Sequence, residues 1–202
     1  MAPEHNLRQQ IRARRREIPP SQRRLAAEQL ARRVTALRSF ASAQHIAGYL
    51  ACDGELDPAP LLERALAMGK HVYLPVLSGQ PQAHLAFAPY HHGMALKPNR
   101  FGIPEPETSA ERWVSPPLLD LVLTPLVAFD AAGVRVGMGG GFYDRTFAFR
   151  RHPGHLPKPR LLGLAYELQK VSALTPQPWD VPLDGVATEQ ALYPGGGGWL
   201  LE

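Results

Sequence analysis

The stretch LDLVLTPLVAFD, residues 119–130, is the most apolar part of the sequence and marks the expected centre of the fold. Its apolar residues stand at consecutive positions, which is typical of a β-strand buried on both faces at the centre of a sheet. The glycine-rich stretch VRVGMGGGFYDRTF, residues 134–147, comes next and is followed by a helical pattern. We therefore predict that the glycines leave the carboxyl end of a central strand and enter a helix, where open α/β sheets bind ligands.

Shorter predicted elements precede and follow this strand in the sequence. Residues 1–40 predict two N-terminal helices that are interrupted at residues 18–20, with Ser21 as the cap of the second. HIAGYLA (45–51) and HVYLPVL (71–77) read as strands on either side of a helix that Asp57 caps and Gly69 ends. AHLAFAPY (83–90) predicts an edge strand and RLLGLAY (160–166) a further buried strand.

These elements predict one α/β domain over residues 1–202. Its mostly parallel sheet is flanked by helices on both faces, and residues 194–202 form a flexible tail. The connection over residues 91–117 is too long to be idle in a compact domain, so we expect it to cover a site or to be disordered.

Composition narrows the function classes. The chain has 202 residues, a formal net charge of +4 and a single cysteine, Cys52, which excludes an internal disulfide and suits a reducing compartment. There is no apolar run of signal-peptide or membrane-spanning length, so we expect a soluble cytoplasmic protein without a membrane partner. Cys52 itself is typical of a small buried apolar residue.

Two functions of other classes stay open at this point. The arginine cluster at positions 8, 12, 14, 15 and 16 favours an anionic partner and leaves nucleic-acid binding possible, although no recognition motif occurs and +4 is modest. His84, His91, His92, His152 and His155 lack the spacing of a metal hydrolase, so we interpret them as surface residues.

The glycine stretch fits a phosphate, because glycine backbone N–H groups approach an anion without a Cβ in the way. It is neither a Walker A loop nor the dinucleotide fingerprint, and a tight turn explains the glycines equally well. Asp144 is suited to hold Mg²⁺ beside bound phosphates, or else caps the helix. Arg135 and Arg145 flank the loop as phosphate partners or as plain surface charges.

Longer motifs carry a resemblance. DLVLTPLVAFDAAGVRVGMGGGFYDRTF (120–147) resembles the signature of the 5-formyltetrahydrofolate cyclo-ligase family, the 5,10-methenyltetrahydrofolate synthetases, and most closely its proteobacterial branch. LRQQIRARRREIPPSQR (7–23), DGELD (53–57), VYLPVL (72–77), FGIPEP (101–106) and WDVPLDGVATE (179–189) follow the family's order and spacing. The resemblance covers nearly the whole chain and implies a Rossmann-like three-layer sandwich.

The resemblance implies a reaction in which 5-formyltetrahydrofolate and ATP give 5,10-methenyltetrahydrofolate, ADP and phosphate. In the implied chemistry, the formyl oxygen is phosphorylated, N10 attacks the formyl carbon, and phosphate departs. Such an enzyme aligns the phosphoryl group and stabilises charge rather than supplying covalent machinery. ATP and Mg²⁺ are the implied cofactors, and we expect a monomer that binds no nucleic acid.

The resemblance also implies site residues. The implied ATP-binding residues are Arg8, Arg12, Arg135, Val136, Gly137, Met138, Gly139, Gly140, Gly141, Phe142 and Tyr143. The implied folate-binding residues are Leu50, Glu55, Phe101, Met138, Gly139, Gly140, Gly141 and Phe142. The implied catalytic residues are Glu55, Asp144 and Arg145, and the implied metal ligands are Asp144 and Asp184. Without the resemblance, Glu55 reads equally well as support for the Asp57 cap.

Two positions depart from the family pattern. Glu4 stands where many members have an ATP-binding lysine, a role that Arg12 takes over or that is absent here. Met138 stands where many members have an arginine, so we expect weaker nucleotide binding. These departures keep open a member that binds folate or nucleotide without catalysis. We expect Asp144→Ala to abolish MgATP turnover with little loss of stability.

Overall fold

The computed structural model describes residues 3–78, 84–152 and 158–195. The α-helices are α1 (Pro3–Arg16), α2 (Pro20–Thr35), α3 (Arg38–Ser42), α4 (Ala59–Ala67) and α5 (Phe142–Thr146). The strands are β1 (His45–Ala47), β2 (His71–Leu77), β3 (Leu85–Tyr90), β4 (Leu96–Pro98), β5 (Pro104–Pro106), β6 (Leu121–Pro125), β7 (Ala128–Phe129), β8 (Arg135–Val136), β9 (Arg160–Leu164), β10 (Gly185–Ala187) and β11 (Leu192–Pro194). Short 3₁₀-helices cover Ala110–Arg112, Pro116–Leu118, Ala148–Arg151 and Glu167–Gln169.

The central sheet has the strand order β11-β10-β9-β6-β1-β2-β3 in the described residues. Strands β10, β9, β6, β1 and β2 are parallel, while β11 and β3 pair antiparallel at the two edges. The apolar stretch forms β6 in the middle of this sheet, and residues 121–124 are buried. The predicted mostly parallel α/β sheet, its buried central strand and the edge position of β3 are confirmed.

Helices cover one face of the sheet, and α5 with irregular segments covers the other. On the first face α2 and α4 pack over the sheet, with Leu30, Val34 and Leu61 in one apolar cluster. On the second face Phe87 and Phe147 belong to a cluster that the 3₁₀-helix Ala148–Arg151 and the α5 end help to cover. The second layer is therefore thinner than the first.

The ends of α4 follow the prediction more closely than the start of α2, although the N-cap residue of α4 is Pro58 and not the predicted Asp57. The Asp57 carboxylate accepts the Ala59 N–H at 3.0 Å, and Gly69 takes a left-handed φ of +75° after the helix. The predicted Ser21 cap is wrong, because α2 already begins at Pro20 and has no side-chain cap. Proline's fixed φ suits the first helical position, so Ser21 lies inside the first turn.

The chain between β6 and the glycines differs from the prediction. A two-stranded antiparallel sheet of β7 and β8 intervenes, so the glycines follow β8 and not the central strand directly. The Asp130 carboxylate accepts the N–H groups of Ala132 and Val134, and Gly133 has a φ of +84°, which closes the turn between β7 and β8. The predicted helix is also short, since α5 has five residues and a 3₁₀-helix follows it.

The C-terminal part is ordered further than predicted. Pro194, the first residue of the predicted tail, ends β11 and pairs with Gly185 of β10. Residues 196–202 lie outside the described residues. Across the described ranges, every helix is too short or too polar to cross a bilayer.

Candidate active site

The carboxyl ends of β1 and β6 form the switch point of the sheet. The two strands are neighbours, but the chain continues from β1 to β2 on one side and from β6 towards β9 on the other. A crevice opens where such connections diverge, and this is where open α/β sheets bind ligands. Two segments meet here, and we call residues 48–57 the Glu55 loop and residues 137–141 the glycine loop. The Val127 N–H, just beyond β6, donates to the Val136 carbonyl next to the glycine loop at 2.8 Å.

The glycine loop has an open backbone. Gly139 has a φ of +98° and Gly141 a φ of +63°, conformations that favour glycine. A Cβ at Gly137 or Gly139 would meet no atom within 4 Å, so this side of the loop faces open space. Met138 between them is 47% exposed. A ligand can therefore approach the loop backbone closely.

Arg135 and Asp144 form an ion pair behind the glycine loop. Arg135 Nη2 donates to Asp144 Oδ1 at 2.6 Å, and the Arg135 side chain is only 6% exposed. Asp144 Oδ1 also accepts the Val181 N–H at 3.1 Å, while Arg135 Nη1 donates to the Val181 carbonyl. Asp144 keeps partial exposure and fits a magnesium ion that draws its other ligands from phosphates and water. Arg135 is a partner of this carboxylate rather than a surface charge.

Asp184 forms an ion pair with Arg150. Its two carboxylate oxygens accept bonds from Arg150 Nη2 at 2.9 and 2.8 Å, and Oδ2 also accepts the Leu161 N–H at 2.7 Å. The side chain is 10% exposed, so a metal would have to displace a buried arginine. Among the residues described, no group of three or more His, Cys, Asp or Glu side chains is placed to hold a metal ion. His155 lies outside the described residues.

The basic cluster of α1 turns towards the protein. Arg8 Nε donates to the Gly137 carbonyl at 2.9 Å, which brings α1 onto the glycine loop. Arg12, Arg15 and Arg16 all contact the carboxylate of Asp53 in the Glu55 loop. The cluster is therefore accounted for mainly by internal contacts and gives no support to nucleic-acid binding. The Glu4 side chain lies outside the described part of α1.

Sequence reasoning missed Asp53 and Arg15. Arg15 is fully buried and donates to the Asp53 carbonyl at 2.9 Å and to the Leu126 carbonyl at 3.3 Å. It thereby connects α1 to the chain after both β1 and β6. A signal existed in the spacing of Arg8, Arg12 and Arg15, which places all three on one face of a helix.

Glu55 has an interior carboxylate next to Cys52. Its Oε2 accepts the Cys52 N–H at 3.1 Å and the Cys52 thiol at 3.5 Å, and the residue is 7% exposed. Burial raises the pKa of Glu55, and this effect outweighs the opposing Cys52 hydrogen bonds and the Arg15 charge. The carboxylate does not support the Asp57 cap; it faces the site.

Two neighbouring groups respond to Glu55. Burial and the Glu55 charge raise the pKa of Cys52 to about 11, so this thiol stays protonated. Burial and the Glu55 charge also raise the pKa of Tyr143, whereas the Arg135 charge acts to lower it. Tyr143 directly follows Phe142, so Glu55 lies within electrostatic reach of α5 and the glycine loop.

The long connection after β3 supplies an aromatic surface. Phe101, in the turn between β4 and β5, is 57% exposed and makes an edge contact with Phe142, with ring centroids 5.9 Å apart. The predicted cover over the site is thus a β-hairpin whose tip reaches α5. Arg145 Nη2 donates to the Gly140 carbonyl at 2.7 Å and its guanidinium lies 5.3 Å from the Phe142 ring centre. Leu50 packs against the core on the α2 and α4 face.

A cleft of about 490 Å³ opens between α2 and the Glu55 loop. Arg23, Arg24, Cys52, Glu55 and Tyr166 contribute to its wall. Its volume is within the usual range for small-molecule sites. The glycine loop is not among its lining residues, so the cleft extends the site on the side of Glu55.

Comparisons with known proteins agree on one family. The model of the 5-formyltetrahydrofolate cyclo-ligase family matches residues 1–189. The 5-formyltetrahydrofolate cyclo-ligase of Escherichia coli K12 is 40% identical over 183 residues, which cover 91% of this chain and 98% of that protein. That of Haemophilus influenzae is 39% identical over 180 residues, covering 87% and 94%.

A solved structure gives the same answer. The structure of Aquifex aeolicus 5,10-methenyltetrahydrofolate synthetase superposes with a TM-score of 0.80 at 29% identity and covers 96% of this chain and 93% of its own. Sequence and architecture thus agree over almost the full length, which confirms the resemblance. The chain belongs to the 5-formyltetrahydrofolate cyclo-ligase family.

Proposed function

We propose that the protein is a ligase that converts 5-formyltetrahydrofolate and ATP into 5,10-methenyltetrahydrofolate, ADP and phosphate. The observation that carries the proposal is the convergence of the glycine loop and the Glu55 loop at the switch point of the sheet. Arg8 of α1 contacts Gly137 in the glycine loop, and Arg12 on the same helix contacts Asp53 in the Glu55 loop. A phosphate donor and a folate bound to these two loops would meet between them.

The ATP phosphates lie along the open side of the glycine loop in this proposal. Its backbone N–H groups, with no Cβ in front of Gly137 and Gly139, would approach the phosphate oxygens. Arg8 and Arg12 extend from α1 to neutralise their charge, and Arg145 adds an exposed cation that contacts the Gly140 carbonyl. Because phosphoryl transfer depends on alignment and charge stabilisation, these groups are sufficient for that role.

Magnesium would be held by Asp144, whose side chain is 24% exposed, and when bound it would neutralise charge on the phosphates. We propose no metal role for Asp184, because both of its oxygens already accept bonds from Arg150. Arg135 instead orients the Asp144 carboxylate through its hydrogen bond in this proposal.

The folate lies with its formyl and N10 end beside Glu55 in this proposal. The formyl oxygen attacks the γ-phosphorus and ADP leaves; N10 then attacks the formyl carbon, and the C–O bond breaks to release phosphate. The N10 proton passes to the Glu55 carboxylate, whose raised pKa makes it a better base than an exposed glutamate. Phe101 and Phe142 offer the pterin an apolar surface.

We propose that the protein works as a monomer in the cytoplasm. A mass near 22.2 kDa by light scattering would support the first point, and a dimer mass would contradict it. Recovery of the activity in the cytosolic fraction of the source cells tests the second.

The decisive experiment is a spectrophotometric assay. Purified protein with 5-formyltetrahydrofolate and MgATP should produce the near-ultraviolet absorption band of the conjugated methenyl product, and mixtures without ATP should not. A chelator added before ATP tests the magnesium role separately. If folded protein that binds ATP or folate forms no band, the proposal of catalysis is wrong and the chain is a non-catalytic binding member, with Met138→Arg and Glu4→Lys as the first reversions.

A further inference from the structure

Three arginines contact Asp53, a residue to which the proposed reaction assigns no role. Its side chain is 15% exposed, and its carboxylate contacts Arg12, Arg15 and Arg16. Its backbone has a φ of +49°, which is uncommon for a residue other than glycine. Burial alone would raise the pKa of Asp53, but the hydrogen bonds of Arg12 and Arg16 outweigh it and lower that pKa, so the group stays ionised.

The contact with Arg12 has a particular geometry. Arg12 donates to Asp53 Oδ2 through Nε at 2.6 Å, so the carboxylate binds the inner nitrogen of the guanidinium. This contact does not use the two terminal nitrogens, and the side chain is 35% exposed. An arginine bound in this way has a restricted rotamer and still presents two donors to an anion.

Arg12 also lies on the same face of α1 as Arg8. It lies one helical turn after Arg8, and residues four apart share a face of a helix. Arg8 already contacts Gly137 of the glycine loop. Arg12 is therefore carried on the face of α1 that contacts the glycine loop.

We propose that Asp53 is a positioning residue for nucleotide binding: it orients Arg12 so that its terminal nitrogens bind the phosphates of ATP. This inference rests on the proposed function, since it requires ATP at the glycine loop. It assigns Asp53 no contact with either substrate. Arg15 fixes the Asp53 carbonyl from beneath, which keeps the carboxylate in place relative to α1.

The test compares Asp53→Asn with wild type. Asparagine has the same size and tolerates a positive φ, so the loop backbone is retained while the charge is lost. We expect the KM for ATP to rise about tenfold, as for one charge-assisted hydrogen bond, with the KM for 5-formyltetrahydrofolate changed less than about twofold. Calorimetric titration with ADP in the absence of folate should show a similar loss of affinity.

A double-mutant cycle separates positioning from a general electrostatic effect. Arg12→Ala should raise the KM for ATP at least as much as Asp53→Asn, and the double variant should be no worse than Arg12→Ala alone. Asp57→Asn is the matched control, because it removes a carboxylate from the same loop while the asparagine amide oxygen still accepts the Ala59 N–H. It should leave the KM for ATP unchanged.

Several outcomes would overturn the inference while leaving the proposed reaction intact. These are an active Asp53→Asn enzyme with unchanged ATP binding, additive effects in the cycle, or an equal rise in both KM values. If Asp53→Asn does not fold, Arg12→Lys replaces it, because lysine keeps the charge but cannot bind Asp53 and phosphate through one planar group. An unchanged KM for ATP in Arg12→Lys contradicts the inference. A wild-type protein without any activity contradicts the proposed reaction instead.

Discussion

The Glu55 carboxylate lies in the interior with Cys52 as its hydrogen-bonding neighbour. Burial at this position favours the protonated form, so the charged form has a cost in stability that an exposed glutamate would not have. Such a cost is commonly found at residues retained for chemistry rather than for folding. The residue thus offers a way to separate activity from stability.

Replacing Glu55 with glutamine should abolish cyclisation without destabilising the fold. Because folding raises the pKa of Glu55, the free energy of unfolding of wild type falls as the pH rises from the ordinary value of 4.5 through the raised value. Glu55→Gln lacks this fall, so its stability relative to wild type should increase over that interval and then stay constant. Urea unfolding across a pH series measures it, with exposed Glu63→Gln on α4 as the control. A Gln variant that is active, or that is less stable at neutral pH, contradicts the assignment.

Asp144 requires a change to the expectation drawn from the sequence. A loop-edge carboxylate would be expected to contribute little stability, but this one pairs with Arg135, which is 6% exposed, and accepts the Val181 N–H. Asp144→Ala should therefore lose activity and also about 1–3 kcal/mol of unfolding free energy, because Arg135 keeps its charge without this partner. Asp144→Asn keeps an acceptor for the Val181 N–H and should lose activity with a smaller loss of stability. Thermal melts with the absorbance assay distinguish the two; an active Asp144→Ala enzyme contradicts the metal role.

Met138 is the residue at which a gain of binding is expected. Its side chain is 47% exposed between two glycines that face open space, so a longer side chain has room. Met138→Arg should lower the KM for ATP several-fold, by about the worth of one exposed charge-assisted contact. Met138→Gln, similar in length but uncharged, should not. An unchanged or higher KM for ATP in Met138→Arg would contradict the expectation that a cation at position 138 strengthens ATP binding.

Two glycines of the glycine loop differ in why a side chain would be unfavourable there. Gly137 and Gly139 both face open space, but only Gly139 has a positive φ. Gly137→Ala should weaken ATP binding with little change in melting temperature, because its Cβ occupies only the space proposed for phosphate. Gly139→Ala should weaken binding and also lose about 1–2 kcal/mol through backbone strain. Equal ATP affinity in Gly137→Ala and wild type would contradict the proposal that the phosphates bind on this side of the loop.

The sequence predicted those elements whose own residues determine them. The consecutive apolar residues of β6 and the α4 end signals at Asp57 and Gly69 act locally, so their consequences were visible in the pattern. The β7–β8 pair was missed because its strands have two residues each, too short for any periodicity. Its only signal was the turn formed by Asp130 and Gly133.

The site residues also fall into those that a sequence pattern indicates and those that only tertiary packing determines. The glycine loop was recognisable from composition, and Glu55 from the family resemblance. The contact of Asp53 with Arg12 and Arg15 joins positions about forty residues apart, so no local pattern indicates it. Asp184 was expected at a metal because its motif matches, whereas its partner Arg150 is decided by tertiary packing.

For the molecule as a whole, α1 connects the chain segments that follow β1 and β6 at the site. Ile11 packs against Val127, Ala128 and Val136 in a small apolar cluster, which fixes α1 over β7 and β8. Arg15 on the same helix reaches the Glu55 loop and the Leu126 carbonyl after β6. The N-terminal helix thus positions both loops relative to each other, in addition to carrying Arg8.

Arg15→Met tests this role. Methionine retains most of the buried volume, but it leaves the Asp53 carbonyl without the Arg15 donors, while Leu126 O still accepts from Gln169 Nε2 at 2.8 Å. We expect a loss of about 2–3 kcal/mol, which for a chain of this length lowers Tm by about 4–12 °C. Faster amide hydrogen exchange in α1 and the Glu55 loop together should accompany it, because one side chain constrains both. Arg14→Met removes an exposed charge one position away and is the matched control. If the two variants melt alike, or if exchange rises in α1 alone, Arg15 does not link the helix to the Glu55 loop, and the apolar contacts of Ile11 are sufficient to hold α1 in place.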